Sequence, residues 1–156
     1  MHTQTGLKIL LIGLLFWACN VFEPQPEEQE AIEGSLFFTV ICDSTGMIKD
    51  HTGYLLHMQT EKIYNCFNYQ IESFNFITTN TIHMDIQGIH RPNTCATAFG
   101  PAKLNYSLPV GEGDYELDIS YKDKRDRYEL IFEPDSIRVR SLHSQFTQYN
   151  PAILNR

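Results

Sequence analysis

From residue 34 onward the sequence predicts an all-β domain, built as an antiparallel β-sandwich, and three observations carry that expectation. No window of about 11 or more residues places apolar side chains at helical spacing. Runs rich in β-branched and aromatic residues recur, separated by clusters of Gly, Pro, Asn, Asp and charged residues. Residues 114–121 alternate apolar and polar side chains strictly, the period-two signature of a strand with one buried face. On this basis strands are expected near 35–42, 53–59, 62–71, 74–78, 81–87, 103–109, 114–122, 127–133 and 136–142. No internal repeat is present.

The N-terminal segment reads differently. Lys8 precedes an apolar run over residues 9–18, too short to span a bilayer and suited to the apolar region of an export signal. Leu14-Leu-Phe-Trp-Ala-Cys19 resembles the lipobox of bacterial lipoproteins, with Phe16 and Trp17 where a Leu and a small residue are more usual. Looser lipoboxes of this kind resemble those of the Bacteroidota. The resemblance implies cleavage after Ala18 and lipidation of Cys19, with palmitate-type acyl chains holding the protein on a membrane. Asn20, rather than Asp, follows the cysteine, which by the same resemblance points to the outer membrane.

Glu23-Pro-Gln-Pro-Glu-Glu-Gln-Glu30 then predicts an extended, self-repelling tether. It is similar to the acidic stretch behind the cysteine of surface-exported Bacteroidota lipoproteins, and it reads equally as a solvated linker. The expected organisation is therefore a signal peptide over 1–18, a lipidated cysteine and flexible acidic tether over 19–33, and a β-sandwich domain over 34–156.

The 156 residues carry a formal net charge of −7, with 42% hydrophobic and 12% aromatic residues. The apolar content supports a packed core, and the acidity gives no electrostatic footprint for nucleic acid. Cleavage after residue 18 would remove Lys8 alone among the charged residues, so the mature chain would carry −8. Such a domain gains nothing from an anionic membrane surface, so the lipid itself would do the anchoring.

Within the domain, Tyr115, Leu117, Ile119 and Tyr121 form one inward set, and Tyr128, Leu130 and Phe132 the next. Lys122-Asp-Lys-Arg-Asp126 is expected as a charged turn, and Pro134 with Asp135 as another, after which Ile137 and Val139 continue the inward face. Glu116, Asp118 and Glu129 would face outward opposite Arg127, Arg138 and Arg140, as a solvated sheet face. Leu108-Pro-Val-Gly-Glu-Gly-Asp-Tyr-Glu-Leu-Asp-Ile119 resembles the Pro/Gly turn and hairpin entry of Ig-like β-sandwiches, a likeness that bears on fold and not on function.

With Cys19 assigned to lipid, Cys42, Cys66 and Cys95 allow one bridge and one free thiol in three pairings, which sequence alone does not separate. Cys42 shares parity with Leu36, Phe38 and Val40 and is expected in the core. Cys66 shares parity with Tyr64, Asn68 and Gln70, and Cys95 lies in the irregular stretch 88–102, so Cys66 and Cys95 form the candidate disulfide.

Nucleophile elbows, HExxH, Walker and Rossmann patterns are all missing, so no catalytic residue, cofactor or metal is expected. His83, Asp85 and Gln87 would share one strand face, read as an ordinary polar face. His51 and His57 would stand roughly 20 Å apart on an extended strand, too far to share a metal. His90, Arg91 and Asn93 mark the loop where a ligand would bind, if one does. Tyr64, Phe67, Tyr69, Phe74 and Phe76 read as core residues of two strands, although exposed rings among them would make a sugar-stacking or protein-binding platform. Asp43-Ser44-Thr45 and Asp135-Ser136-Ile137 resemble the short O-glycosylation motif of Bacteroidota secreted proteins, whereas the sequon at Asn105 lies in an expected strand.

The function expected from these features is a membrane-anchored envelope lipoprotein with a binding, adhesion or accessory role and a protein or glycan partner. The alternatives are a small envelope enzyme and an inhibitor or immunity-type lipoprotein.

Overall fold

A computed structural model describes residues 29–42, 53–95 and 97–155. Nine strands follow in chain order: β1 (Leu36–Cys42), β2 (Tyr54–Tyr64), β3 (Gln70–Thr78), β4 (Thr81–His90), β5 (Gly100–Leu108), β6 (Gly113–Tyr121), β7 (Lys124–Glu133), β8 (Ser136–His143) and β9 (Thr147–Tyr149). A 3-10 helix over Pro151–Asn155 ends the described chain. The domain is all-β, with no α-helix among the described residues, and no helix there is long and apolar enough to cross a membrane.

The strands form one sheet in the order β8-β7-β6-β4-β3-β5-β2-β1-β9, curled until its two ends approach each other. This corrects the expected antiparallel sandwich. The β4/β6, β3/β5 and β1/β9 pairs are parallel, and the sheet is mixed and nearly closed into a barrel. Alternation along a strand reports which face is buried, and it is the same whichever way the neighbour runs. Pairing direction here comes from β5, which leaves β4 to lie beside β2 before β6 returns alongside β4.

The opposing walls pack through aromatic residues. Phe38 on β1 meets Tyr128 on β7 edge-on at 4.8 Å, and Tyr54 on β2 stacks on Phe132 at 4.0 Å. Leu36, Leu56, Met58, Ile82, Leu117, Ile119 and Leu130 are fully buried between them. Each such side chain contributes about 2 kcal/mol on leaving water. The expected inward set of β6, β7 and β8 is found as read, with Tyr115, Ile137 and Val139 partly buried at its rim.

Two seams need more than ladder bonds. At the first, β3 and β5 share a single ladder pair, Gln70 with Lys103, and the Lys103 amide donates to the Tyr69 carbonyl at 3.1 Å. The Cys66–Cys95 disulfide lies beside this seam, joining the β2–β3 turn to the β4–β5 loop with Cα atoms 5.3 Å apart. The Asn68 carboxamide reinforces it, donating to the Thr94 carbonyl at 2.7 Å. Gly100 allows the turn to close down: a Cβ there would lie 2.9 Å from Phe67 Cβ. The expected strand over 62–71 is thus corrected. Residues 62–64 complete β2, residues 65–69 turn with Cys66 buried, and β3 starts at Gln70.

At the second seam the sheet closes on a buried carboxylate. Asp126, at 0% exposure, accepts from the amides of Gln145 (2.7 Å), Phe146 (3.0 Å) and Thr147 (2.7 Å) and from the Thr147 hydroxyl (2.6 Å). The Tyr128 hydroxyl donates to the Thr147 carbonyl at 2.7 Å. These bonds hold the entry to β9 against β7, and β9 then pairs with β1. The expected charged turn is tighter than its sequence suggested, since Lys122 and Asp123 alone turn and Asp126 lies inside β7.

The structure also differs at the end of the expected tether. Glu30 exchanges two backbone bonds with Ile89, the Ile32 amide donates to the Tyr121 hydroxyl at 2.9 Å, and Lys62 pairs with Glu30 and Glu33 at 3.3 and 3.1 Å. Cys42 is exposed at the end of β1 rather than buried in the core. Parity sets the side of the sheet, whereas position along the strand sets depth, and burial ends at Val40.

Replacing Asp126 with Asn leaves one acceptor oxygen for four donors and turns an N–H toward them. Urea denaturation is expected to register a loss of about 2–4 kcal/mol. A loss under about 0.5 kcal/mol, the scale of an ordinary surface change, would show that closure does not rest on this carboxylate. Removing the disulfide, whose cysteines are 29 residues apart, is expected to lower stability by about 3–4 kcal/mol in the chain-entropy account. That loss is read as the difference in unfolding midpoint between the oxidised protein and the Cys66→Ala/Cys95→Ala variant.

Candidate functional site

The outer face of β3, β4, β6 and β7 gathers the domain's most distinctive surface chemistry. Cross-strand register places Phe76, His83 and Asp118 in one row, continued by Arg127. The next row is Phe74, Asp85, Ser120 and Arg125. Each row exists because alternate residues of a strand share a face and directly paired residues stand side by side.

Phe74 and Phe76 are 63% and 43% exposed, which corrects their expected place in the core. The Phe76 ring stacks on the His83 imidazole at 4.5 Å with 18° between planes, and the Phe74 ring follows at 5.8 Å from Phe76. Both imidazole nitrogens are engaged. Nδ1 lies 3.3 Å from Asp118 Oδ2, and Nε2 lies 3.0 Å from the Thr78 hydroxyl. The ring is thereby held flat against Phe76, extending an aromatic strip across two strands.

Asp118 is 5% exposed and is gripped by the Arg125 guanidinium, whose Nε donates to Oδ1 at 2.7 Å while its Nη2 donates to Oδ2. That fork holds the Asp118 carboxyl below its ordinary pKa, with His83 adding to the effect and burial opposing it. Asp85 accepts from the Ser120 hydroxyl at 2.8 Å and the Gln87 carboxamide at 2.7 Å. His83, Asp85 and Gln87 do share a face, but the partner of His83 is Asp118 and not Asp85. Phe74, Phe76, His83, Asp85, Ser120 and Arg125 border a shallow recess of about 390 Å³. The arrangement offers flat rings beside fixed donors and acceptors.

The other candidates fall elsewhere. His90 ends β4, with Nδ1 3.5 Å from Glu72, and Arg91 and Asn93 are exposed in the following loop. Phe67 is exposed in the disulfide-linked turn, whereas Tyr64 and Tyr69 are buried and stacked on each other at 4.5 Å. His57 is buried on β2, its Nδ1 2.6 Å from Asn105 Oδ1. The outward charges of the meander pair as Arg140 with Glu129 at 2.8 Å and Arg138 with Glu133 at 2.6 Å. Cys19, His51 and the motif at Asp43 lie outside the described residues. Among the described residues no group of three or more His, Cys, Asp or Glu is arranged to hold a metal. No protein-family model matches the chain, and neither a curated protein nor a solved structure matches it.

A carboxylate whose folded pKa is depressed adds stability above its unfolded pKa, and that stability is lost as pH falls through the folded value. Asp118 therefore contributes to the acid limb of the stability curve below roughly pH 4. Denaturation across that range is expected to give a flatter acid limb for Asp118→Asn than for the parent protein. An equally steep limb in both would remove Asp118 from this role.

Proposed function

We propose that this protein is an exported envelope lipoprotein, anchored through Cys19 to a bacterial outer membrane, whose β-domain binds a glycan without transforming it. The observation that carries the binding role is the exposed strip of Phe74, Phe76 and His83 beside Asp85, Ser120 and Arg125. Sugar rings present flat C–H faces that stack on aromatic rings, and their hydroxyls take bonds from carboxylate, hydroxyl and guanidinium groups. An open sheet face suits a chain of sugar units lying along it better than a small molecule that must be enclosed. His83 has both nitrogens occupied and Asp118 is clamped by Arg125, so these groups support a positioning role.

Export and anchoring rest on the leader. The apolar run over 9–18 and the lipobox-like segment ending at Cys19 support them, and an oxidising compartment is where a Cys66–Cys95 disulfide persists. The acidic stretch after Cys19 would hold the domain away from the lipid surface.

A panel of soluble mannan, xylan, dextran and chito-oligosaccharides tests the binding role. The Phe74→Ala/Phe76→Ala variant is expected to lose at least about tenfold in affinity for whichever glycan binds, equivalent to roughly 1.4 kcal/mol. Its thermal midpoint should stay close to that of the parent, because both rings are exposed. Unchanged affinity in the variant, or no binding across the panel, would refute the reading. Separately, Cys19→Ala is expected to move the protein from the membrane fraction to the soluble fraction.

A further inference from the structure

β3 is bonded to β4 along its whole length, but on its other side it meets β5 at Gln70 alone. From Ile71 to Thr78 that second edge has no ladder partner among the described residues. An open edge is a template for another strand, and proteins ordinarily blunt such edges with Lys, Pro, charge or brevity. The other edges here follow that rule. β8 carries Arg138 and Arg140, β9 has three residues, and β5 carries Pro101 and Lys103 and runs into Pro109. β3 does not: after the bulge at Glu72 and Ser73, the run Ser73-Phe-Asn-Phe-Ile-Thr78 is regular in register and holds no Lys, Pro or ionisable residue.

We infer that two copies of this chain associate through β3, edge to edge and antiparallel, about a two-fold axis at Asn75. The segment is self-complementary in that register. Phe74 of one copy stands beside Phe76 of the second, and Phe76 beside Phe74, so four exposed rings close into one cluster on the outer face. On the opposite face the two Asn75 side chains meet. Asn75 Oδ1 is shielded and accepts no hydrogen bond among the described residues, although its amide nitrogen donates to Ser73 at 2.9 Å. Across the axis that oxygen gains a carboxamide donor.

Charge agrees with this register. Two chains of net charge −7 repel one another, yet Glu72 faces Thr78 of the second copy and no carboxylate faces another across the pair. Salt therefore strengthens the dimer by screening the repulsion between the rest of the two domains. The inference does not depend on a glycan ligand. If one binds, pairing joins two aromatic strips into a single longer surface.

Site-directed crosslinking in the native envelope tests it, using the full chain with Cys42→Ser to remove the free thiol among the described residues. Asn75→Cys is expected to give a covalent dimer under mild oxidation or with a short bifunctional thiol reagent. Its yield should exceed that of Gln87→Cys, an exposed control away from the edge, by at least about tenfold. Co-expressed Phe74→Cys and Phe76→Cys chains should crosslink to each other better than either does to itself, which reads the register. Adding Phe76→Lys, at an exposed position and with the thermal midpoint checked against the Asn75→Cys parent, should abolish the Asn75→Cys dimer. Equal crosslinking at positions 75 and 87, no preference for the mixed pair, or an adduct to a different protein in place of the dimer would each overturn the inference. Absence of glycan binding across the panel with the crosslink intact would count against the proposed ligand alone.

Discussion

The fold depends on the burial of one carboxylate. Removing Asp126 from water costs several kcal/mol unless its oxygens are fully supplied with donors. Three successive backbone amides and a hydroxyl supply them, all from residues 145–147. That requirement directs the chain after β8 back across the mouth of the sheet, where β9 can pair with β1. A three-residue strand has little stability of its own, and it persists here because its entry is fixed before its ladder begins. Tyr128 ties the same residues to the core, since its ring packs on Phe38 while its hydroxyl holds Thr147.

The aromatic strip depends on this closure indirectly. Its rows run across β3, β4, β6 and β7, and strand β7 carries both Arg125 on the outer face and Asp126 on the inner one. One strand thus anchors the aromatic face and the seam from adjacent positions. The interactions on the outer face are largely exposed and individually worth little. The geometry they adopt comes from the fully buried Leu117, Ile119, Tyr128 and Leu130 beneath them.

Legibility in the sequence varied with the physical property at issue. The faces of β6, β7 and β8 were readable because alternation there is uninterrupted and the turns are short. Strand order was not, because identical alternation accompanies parallel and antiparallel neighbours. Apolar character and shared parity with Thr78 place Phe74 and Phe76 in the core on sequence alone. The sequence did carry a contrary signal: a two-residue turn at Thr79 and Asn80 pairs Phe76 with His83 and Phe74 with Asp85, which puts both rings on the polar face. Alternation alone makes Asp118 one of several solvated acids, and its burial beneath Arg125 depends on strand neighbours that lie far apart in the chain. Sequence leaves three cysteine pairings open and favours Cys66 with Cys95 only through strand parity and the irregular stretch 88–102; the disulfide does join these two, although Cys66 sits in a turn and Cys42 is exposed.

The fastening of residues 29–33 has a mechanical meaning. A domain held from its N-terminal side would take load first at Gln29, whose carboxamide donates to Glu72, and then at Glu30, which exchanges two backbone bonds with Ile89. Next come the Lys62 ion pairs and the bond from Ile32 to Tyr121, and only then the Ser35 contacts with Glu61 that precede β1. Releasing residues 29–34 would lengthen the leash by roughly 20 Å, at about 3.4 Å per residue, before any strand of the sheet is pulled. Under such tension the segment would act as a sacrificial link, yielding in short steps while the sheet stays folded.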